Sequence, residues 1–447
     1  MNHIIPVEAI RKDFPALNNL RNGKPPVYFD NACTTLVPRS VIDAMTEYYT
    51  NFPACGGGRS RHGFAKEVTG RIEGDVRNGI TGSRQWIRTF INARSEKEIL
   101  FTLNASHAIN MVALGFRFKQ GDRVLISDKE HNSNLVPWLR LEKLGRIKLS
   151  VLPSKADGSF DLDALEDRLK KSRVRLVGMG FTSNLTGYTL PAKEIVRLSH
   201  QYGACVLLDG AQTVPHKAVD VQDLDVDFLA FSLHKMCGPK GVGVLYGKQA
   251  LLETRPSNAE SMENGMDPVF LGGGTVHDST YESYALLGPP DAFEVGVQNY
   301  AGLIGAGQAV QYLAHMGLDR IQAHEIHLNR FLTQTLLDDY GDTGWFKILG
   351  PDDPSERGGI LTFEVRRPNA VGLTEELDAA NNIMIRDGLF CVHSYLNHLY
   401  GQGWTKPKPP SEHKMVYRVS LYVYNTLEEC RVFSDTLKEI FSNRGYL

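Results

Sequence analysis

The chain has 447 residues, 42% of them hydrophobic and 22% charged, with a formal net charge of −2. That length exceeds one small core and sets an expectation of two domains. Near-balanced charge without a long basic block argues against nucleic acid or an anionic membrane as main partner, and no apolar run approaches the ~20 residues of a spanning helix.

The opening, MNHIIPVEAIRKDFPAL, lacks the basic-then-apolar build of a secretory signal. From about residue 98 to 247, short apolar runs alternate with helical patterns. EILFT leads into SHAINMVALGF, RVLIS into a polar loop, KLSVLP into DLDALEDRLKK, and RLVGMGF into AKEIVRLSHQYG. ACVLLD, DFLAFS and GVGVLYG follow. Near-continuous apolar strands between helices predict an α/β fold with a mostly parallel sheet covered on both faces. Residues 291–345 read as helical, with GLIGAGQAVQYLAHMG as a buried helix. Beyond about residue 346 the runs FKILG, GILTFEV, GLTEELDAANNI and MVYRVSLYVY predict a smaller second α/β domain. Its closing helix, EECRVFSDTLKEIF, puts Phe433, Leu437, Ile440 and Phe441 on one face. The expected division is 1–30 packing with the small domain, 31–300 as the large domain and 301–447 as the linking helix and small domain. The proline-bearing stretch 401–414 reads as an extended loop.

In open parallel sheets ligands bind beyond the carboxyl ends of the strands, so the polar residues there are the candidates. ILFT ends at Asn104-Ala105-Ser106, where a helix begins: Ser106 either helps to hold an anion or is simply an N-cap. His131 in EHNSNLVPW offers a flat ring or is a solvated loop histidine. Asn184 follows RLVGMGFTS and either faces a ligand or caps its own turn. ACVLLD ends on Asp209, with Gln212 three residues on, and a carboxylate at so apolar a strand end needs a cationic or N–H partner. Ser232, His234 and Lys235 close the series, Lys235 being preferred to Lys240 because it follows its strand directly. An anion cradle, a flat ring, an acid for a protonated ring nitrogen and a condensing amine are what pyridoxal 5'-phosphate requires.

The segments YFDNACTTLVPRSVIDAM, EHNSNLVPW, DGAQ, FSLHKMCGPKGVGVLYG, FEVGVQNYAGLIGAGQAV, IRDGLFC and YRVSLYVYNTLEE occur in that order along nearly the whole chain. Together they resemble the class V aminotransferase family of fold-type I pyridoxal-phosphate enzymes, and within it the SufS-like cysteine desulfurase and selenocysteine lyase branch. The resemblance implies that Lys235 carries the cofactor as a Schiff base, Asp209 meets the ring nitrogen, Gln212 the ring oxygen, and His131 the ring face. It assigns the phosphate to the Ala105 backbone, Ser106, Ser232 and His234, and places Asn184 near cofactor and substrate. Arg418 and Arg386 would bind substrate, Arg418 taking the α-carboxylate, and Cys391 would be the nucleophile on a mobile loop.

The activity so implied takes sulfur from L-cysteine, or selenium from its relative, leaving alanine and a persulfide on Cys391. That sulfur then passes to an acceptor protein or small thiol, in a homodimer. A C–S lyase, a class V enzyme for another amino acid, and a non-catalytic scaffold in sulfur-carrier assembly are the rival readings. The six cysteines (33, 55, 205, 237, 391 and 430) lack paired spacing and read as reduced thiols in the cytoplasm. Among them Cys33 is the leading rival nucleophile. Zinc at Cys391, His393, His398 and His413 fits no common ligand spacing. Three features depart from the branch. Val297 stands where a threonine reaches the neighbouring subunit's phosphate, with Gln298 or Thr275 as substitutes, and the stretches 55–64 and 401–414 are unusual.

Overall fold

The computed structural model describes residues 5–58, 60–253, 265–367, 370–401 and 416–447. Seven strands form the large sheet: β1 (Ile99–Thr102), β2 (Arg123–Ser127), β3 (Lys148–Leu152), β4 (Val174–Gly180), β5 (Cys205–Asp209), β6 (Phe228–Ser232) and β7 (Gly243–Gly247). Their spatial order is β1-β7-β6-β5-β4-β2-β3. Only β7 runs against its neighbours, pairing antiparallel with both β1 and β6. The fold is thus the expected α/β arrangement with a mostly parallel sheet.

Alternate side chains of these strands enter two separate cores, as a two-residue period dictates. Leu100, Val124, Leu207 and Ala230 pack with the helix α1 (Ala105–Gly115). Phe101, Leu125, Val206 and Phe231 face the opposite layer, which includes Ile195, Val310 and Leu313. Both faces being covered explains why the strands read as unbroken apolar runs.

The helical region after 291 starts later than its composition suggests. Asp291–Phe293 is a single 3₁₀ turn, and α2 (Tyr300–Met316) begins where the Asn299 side chain accepts from the Gly302 N–H. At Gly317 a φ of 85° turns the chain into α3 (Leu318–Tyr340). The small residues of α2 serve close packing: a Cβ at Gly307 would lie 2.3 Å from the Ser83 hydroxyl.

A second, antiparallel sheet has the order β8-β9-β11-β10, from β8 (Phe346–Leu349), β9 (Ile360–Val365), β10 (Arg386–Gly388) and β11 (Val416–Ser420). Leu361, Phe363, Tyr417 and Val419 pack on Leu332 and Leu336 of α3. They also meet the apolar face of α4 (Leu427–Asn443), where Phe433, Leu437, Ile440 and Phe441 are all buried. A capping box starts α4, with Thr426 Oγ1 accepting from the Glu429 N–H and Glu429 Oε2 from the Thr426 N–H. The run MVYRVSLYVY does not remain one strand. Its sheet pairing ends at Ser420, and Tyr422, Val423 and Tyr424 turn into the core of the large sheet. The N-terminal segment divides likewise, Ile10 and Phe14 joining the large-sheet core and Val27 and Phe29 the second. Among the described residues no helix is long and apolar enough to cross a membrane.

Candidate active site

A cavity of about 590 Å³ opens at the carboxyl ends of β2, β4, β5 and β6, and every residue assigned above to this chain's own cofactor, substrate or nucleophile lines it. The rivals Cys33 and Lys240 line it too.

At the start of α1 the N-cap is Asn104, whose Oδ1 accepts from the His107 N–H at 2.9 Å, so Ser106 is not the cap. The Ser106 hydroxyl instead meets that of Ser133 at 2.5 Å. The Ala105 N–H donates to Ser232 Oγ at 2.8 Å, tying the helix start to the end of β6. Gly243 permits this closeness, since a Cβ there would fall 2.4 Å from Asn104 Cα.

Lys235 ends the 3₁₀ turn Leu233–Lys235 that follows β6. The Thr35 N–H and Thr34 hydroxyl pin that turn by donating to the His234 carbonyl, at 2.8 and 3.0 Å. Burial pulls the Lys235 ammonium below its ordinary range; Asp209 opposes this and Arg418 adds to it. Among the described residues no hydrogen bond or ion pair holds its Nζ. A lysine so destabilised as a cation has a larger neutral fraction and is the better nucleophile. Lys240, in contrast, is exposed.

Asp209 at the end of β5 is buried and accepts only the Ala211 N–H, at 3.0 Å. Burial raises its pKa, with that N–H and Lys235 countering. Gln212 donates from Nε2 to the Ala32 carbonyl at 2.7 Å, leaving Oε1 buried without a partner among the described residues. Burial lowers His131 to about 4, helped by Lys235, Arg418 and His393. Its ring is therefore neutral at physiological pH. Because its Nδ1 accepts the Ser133 N–H at 3.1 Å, the proton belongs on Nε2. His234 is likewise brought down to about 4, chiefly by burial.

The opposite wall comes from the second sheet. Arg386 and Arg418 sit opposite each other in the β10–β11 ladder, which sends both side chains to one face. Arg418 Nη1 donates to the Asn184 carbonyl at 3.0 Å and Nη2 reaches Asp30 at 3.4 Å, while Nε is buried without a partner among the described residues. Burial pulls this guanidinium down to about 10, so it stays charged at neutral pH. Its face lies over the Phe390 ring at 4.6 Å. Arg386 grips Asp30 with Nε at 3.0 and 3.1 Å and with Nη2 at 2.9 Å, and Nη2 also donates to Cys33 Sγ at 3.0 Å.

Cys391 is exposed and follows Phe390 on a loop where both residues take left-handed backbone, φ 46° and 57°. Two bonds hold that loop: Asn184 Nδ2 donates to the Phe390 carbonyl at 2.8 Å, and the Asn132 N–H to the Cys391 carbonyl at 2.7 Å.

The aminotransferase class-V family model covers residues 27–433. The chain belongs to the class V aminotransferase family. A probable cysteine desulfurase of Halalkalibacterium halodurans is 34% identical over 98% of both chains. A cysteine desulfurase of Dickeya dadantii is 37% identical over 87% of this chain and 88% of its own. Among solved structures, the apo cysteine desulfurase of Thermococcus onnurineus superposes with a TM-score of 0.84 at 32% identity, covering 99% of both chains. The cysteine desulfurase CsdA of Escherichia coli gives 0.81 at 28% identity, covering 98% of this chain and 99% of its own.

In this class V chain three site residues escaped the sequence reading. Asp30, closing the YFD run, sits behind both arginines. Phe390 precedes the loop cysteine and lies against Arg418. Glu130, just before His131, is buried and lines the cavity. It accepts from Ser127 Oγ, Asn134 Nδ2 and the Gly180 N–H, and burial pushes it up to about 7. The strand-end rule would have found Glu130, which lies three residues past β2; Asp30 and Phe390 gave no such signal. Val297, set where the resemblance places contact with a neighbouring subunit, is 76% exposed. Thr275 is fully buried, with its hydroxyl donating to the Gly272 carbonyl. The 55–64 stretch is described apart from residue 59, and it leads into the helices Gly63–Glu73 and Ser83–Phe90. The 401–414 stretch, with His413, lies outside the described residues except for Gly401.

Proposed function

We propose that this chain is a pyridoxal-phosphate-dependent cysteine desulfurase, taking sulfur from L-cysteine and leaving alanine and a persulfide on Cys391. The observation that carries the reading is one cavity lined by an unbonded Lys235, a buried Asp209 short of donors and a thiol on a loop. Those unmet groups, with the orphaned Gln212 Oε1, fit the cofactor: Lys235 would hold its aldehyde carbon, Asp209 its ring nitrogen, Gln212 its ring oxygen and His131 its face. Ser106, Ser232, His234 and the Ala105 backbone would hold its phosphate. When bound, pyridoxal phosphate supplies an electron sink for the carbanion formed at the substrate Cα.

The remaining work falls to the chain's own groups. Arg418 and Asn184 orient the substrate, the guanidinium taking the α-carboxylate in its planar fork. Asp209 would keep a proton on the cofactor's ring nitrogen, and a neutral His131 would add no charge there. Lys235 Nζ, kept toward its neutral form, takes the proton from Cα. The Cys391 thiolate attacks the substrate sulfur, a sulfur–sulfur bond forms, and the carbon–sulfur pair stays with carbon. Exposure of Cys391 then suits handing the sulfur to an acceptor protein or a small thiol.

The proposal includes a cytoplasmic homodimer, supported by the exposed side chains Phe270, Leu271, Tyr281, Tyr284 and Val297 on one stretch of chain. A second assignment of the nucleophile, to Cys33, is favoured by the Arg386 N–H aimed at its sulfur. Incubation with L-cysteine and a reductant, measuring alanine, pyruvate and sulfide together, tests the reading. Alanine and sulfide in equal amounts support it; pyruvate in place of alanine makes the enzyme a β-eliminating lyase.

A further inference from the structure

Two thiols open into the cavity: Cys391 on its loop, and Cys33 in the segment that follows Asp30. The other cysteines do not compete. Cys205, Cys237 and Cys430 are buried, and burial raises the pKa of each, while Cys55 is exposed but does not line the cavity.

Cys33 is held in place from both sides. Its N–H donates to the Asp30 carbonyl at 3.1 Å, and the Ala32 N–H donates to Ser420 Oγ at 2.9 Å, which fastens the segment to the second sheet. On the other side the Ala32 carbonyl accepts from Gln212 Nε2 at 2.7 Å, and the Thr34 hydroxyl donates to the His234 carbonyl at 3.0 Å. Cys33 thus stands between the Lys235 turn and the arginine wall, where Arg386 Nη2 donates to its sulfur at 3.0 Å. A guanidinium N–H on sulfur is a charge-assisted contact that supports negative charge as it arrives or leaves. Both thiols bear on Lys235: burial pulls its ammonium down, and Cys33 and Cys391 each act against that. Gln212 Oε1 and Arg418 Nε line the same cavity, buried and without partners among the described residues, so this part of it is built to receive a polar guest.

We propose that Cys33 is a second sulfur-carrying residue, which takes the terminal sulfur of a Cys391 persulfide and keeps it inside the cavity. This rests on the reading above that Cys391 receives the substrate sulfur. In the step, Cys33 as thiolate attacks the terminal sulfur; the bond from that sulfur to Cys33 Sγ forms, and its bond to Cys391 Sγ breaks. The electron pair of the broken bond leaves on Cys391 as thiolate, the proton of the terminal sulfur stays on it, and no oxidant or reductant is consumed. The terminal sulfur is the atom in reach rather than Cys391 Sγ, because a persulfide extends its cysteine by an S–S bond of about 2 Å. Cys391 is thereby freed for another substrate while the first sulfur is retained.

The test is one anaerobic exposure of the cofactor-loaded enzyme to a small excess of L-cysteine with no reductant. Alkylation with iodoacetamide and peptide mass mapping then locate any added sulfur, with alanine measured in parallel. Wild type should carry an added sulfur on both Cys33 and Cys391, and about twofold more cyanide-labile sulfur per chain than Cys33→Ala. Cys391→Ser should carry none on Cys33, since the sulfur arrives only through Cys391. Added sulfur confined to Cys391 in wild type overturns the proposal without any variant. So does alanine formation with no sulfur retained on either residue, or a Cys33–Cys391 disulfide formed with release of sulfide. Added sulfur on Cys33 in Cys391→Ser also overturns it, by making Cys33 the direct nucleophile. If wild type forms no alanine at all, the desulfurase reading itself fails, a result distinct from loss of the relay.

Discussion

The cavity has two walls, and they treat their polar groups differently. Along the strand ends of the large sheet, Lys235 Nζ and Gln212 Oε1 have no partner among the described residues, and Asp209 accepts a single N–H from them. Across the cavity, Arg386 binds Asp30, the Asn184 amide binds the Phe390 carbonyl, and the Phe390 ring covers Arg418, whose buried Nε has no partner among the described residues. Unmet buried groups cost stability until something occupies them, and they specify what that must be. Groups that satisfy one another must first be separated, and so respond to a ligand by rearranging. The first wall suits a resident group, the second a substrate that comes and goes.

The largest expected effect breaks the first wall. Lys235→Ala should abolish the hydride-trapped covalent adduct in intact-mass analysis and lower turnover by about 10³-fold or more. An adduct that persists at another residue would remove Lys235 from its assigned place. Next, Cys391→Ser should cut sulfide release from L-cysteine by about 10²-fold or more while shifting alanine affinity less than about threefold. Comparable losses in both would mean that the loop supports ligand binding as well as chemistry.

A pH series on Glu130 sharpens the contrast. Its carboxyl titrates near 4.5 when free and is pushed up to about 7 by burial in the fold. The native state therefore keeps an extra proton between those values. The stability from this group is complete below 4.5 and is lost as pH rises through about 7. Glu130→Gln escapes that loss, so its melting temperature relative to wild type should climb between about pH 5 and 8, by the equivalent of ~2–3 kcal/mol. A flat difference would show that Glu130 ionises at its ordinary pH despite its burial. The smallest effect belongs to Phe390→Leu. It removes a ring–guanidinium contact worth about 1 kcal/mol and should raise KM for cysteine about threefold with kcat within about twofold.

The large sheet was legible because strands covered on both faces must be apolar throughout, as CVLLD and FLAFS are. The reversed direction of β7 was not, since an apolar run carries no polarity. The first wall was legible for the same reason as its strands: its residues follow directly from their ends. The second wall depends on contacts between distant parts of the chain. Asp30 lies 356 residues from Arg386 and 388 from Arg418, and nothing near YFD announces two arginines. Asn104, not Ser106, is the cap because its amide oxygen reaches the His107 N–H, three residues along.

Two successive L-residues with left-handed backbone, Phe390 and Cys391, cost on the order of 1–2 kcal/mol each. What keeps them there is a pair of asparagines, one clasping the carbonyl before the sulfur-bearing residue and the other the carbonyl of that residue itself. The reach of the thiol is therefore governed by amides that never touch it. Lengthening or severing either clasp would re-aim the sulfur while leaving its own side chain unaltered.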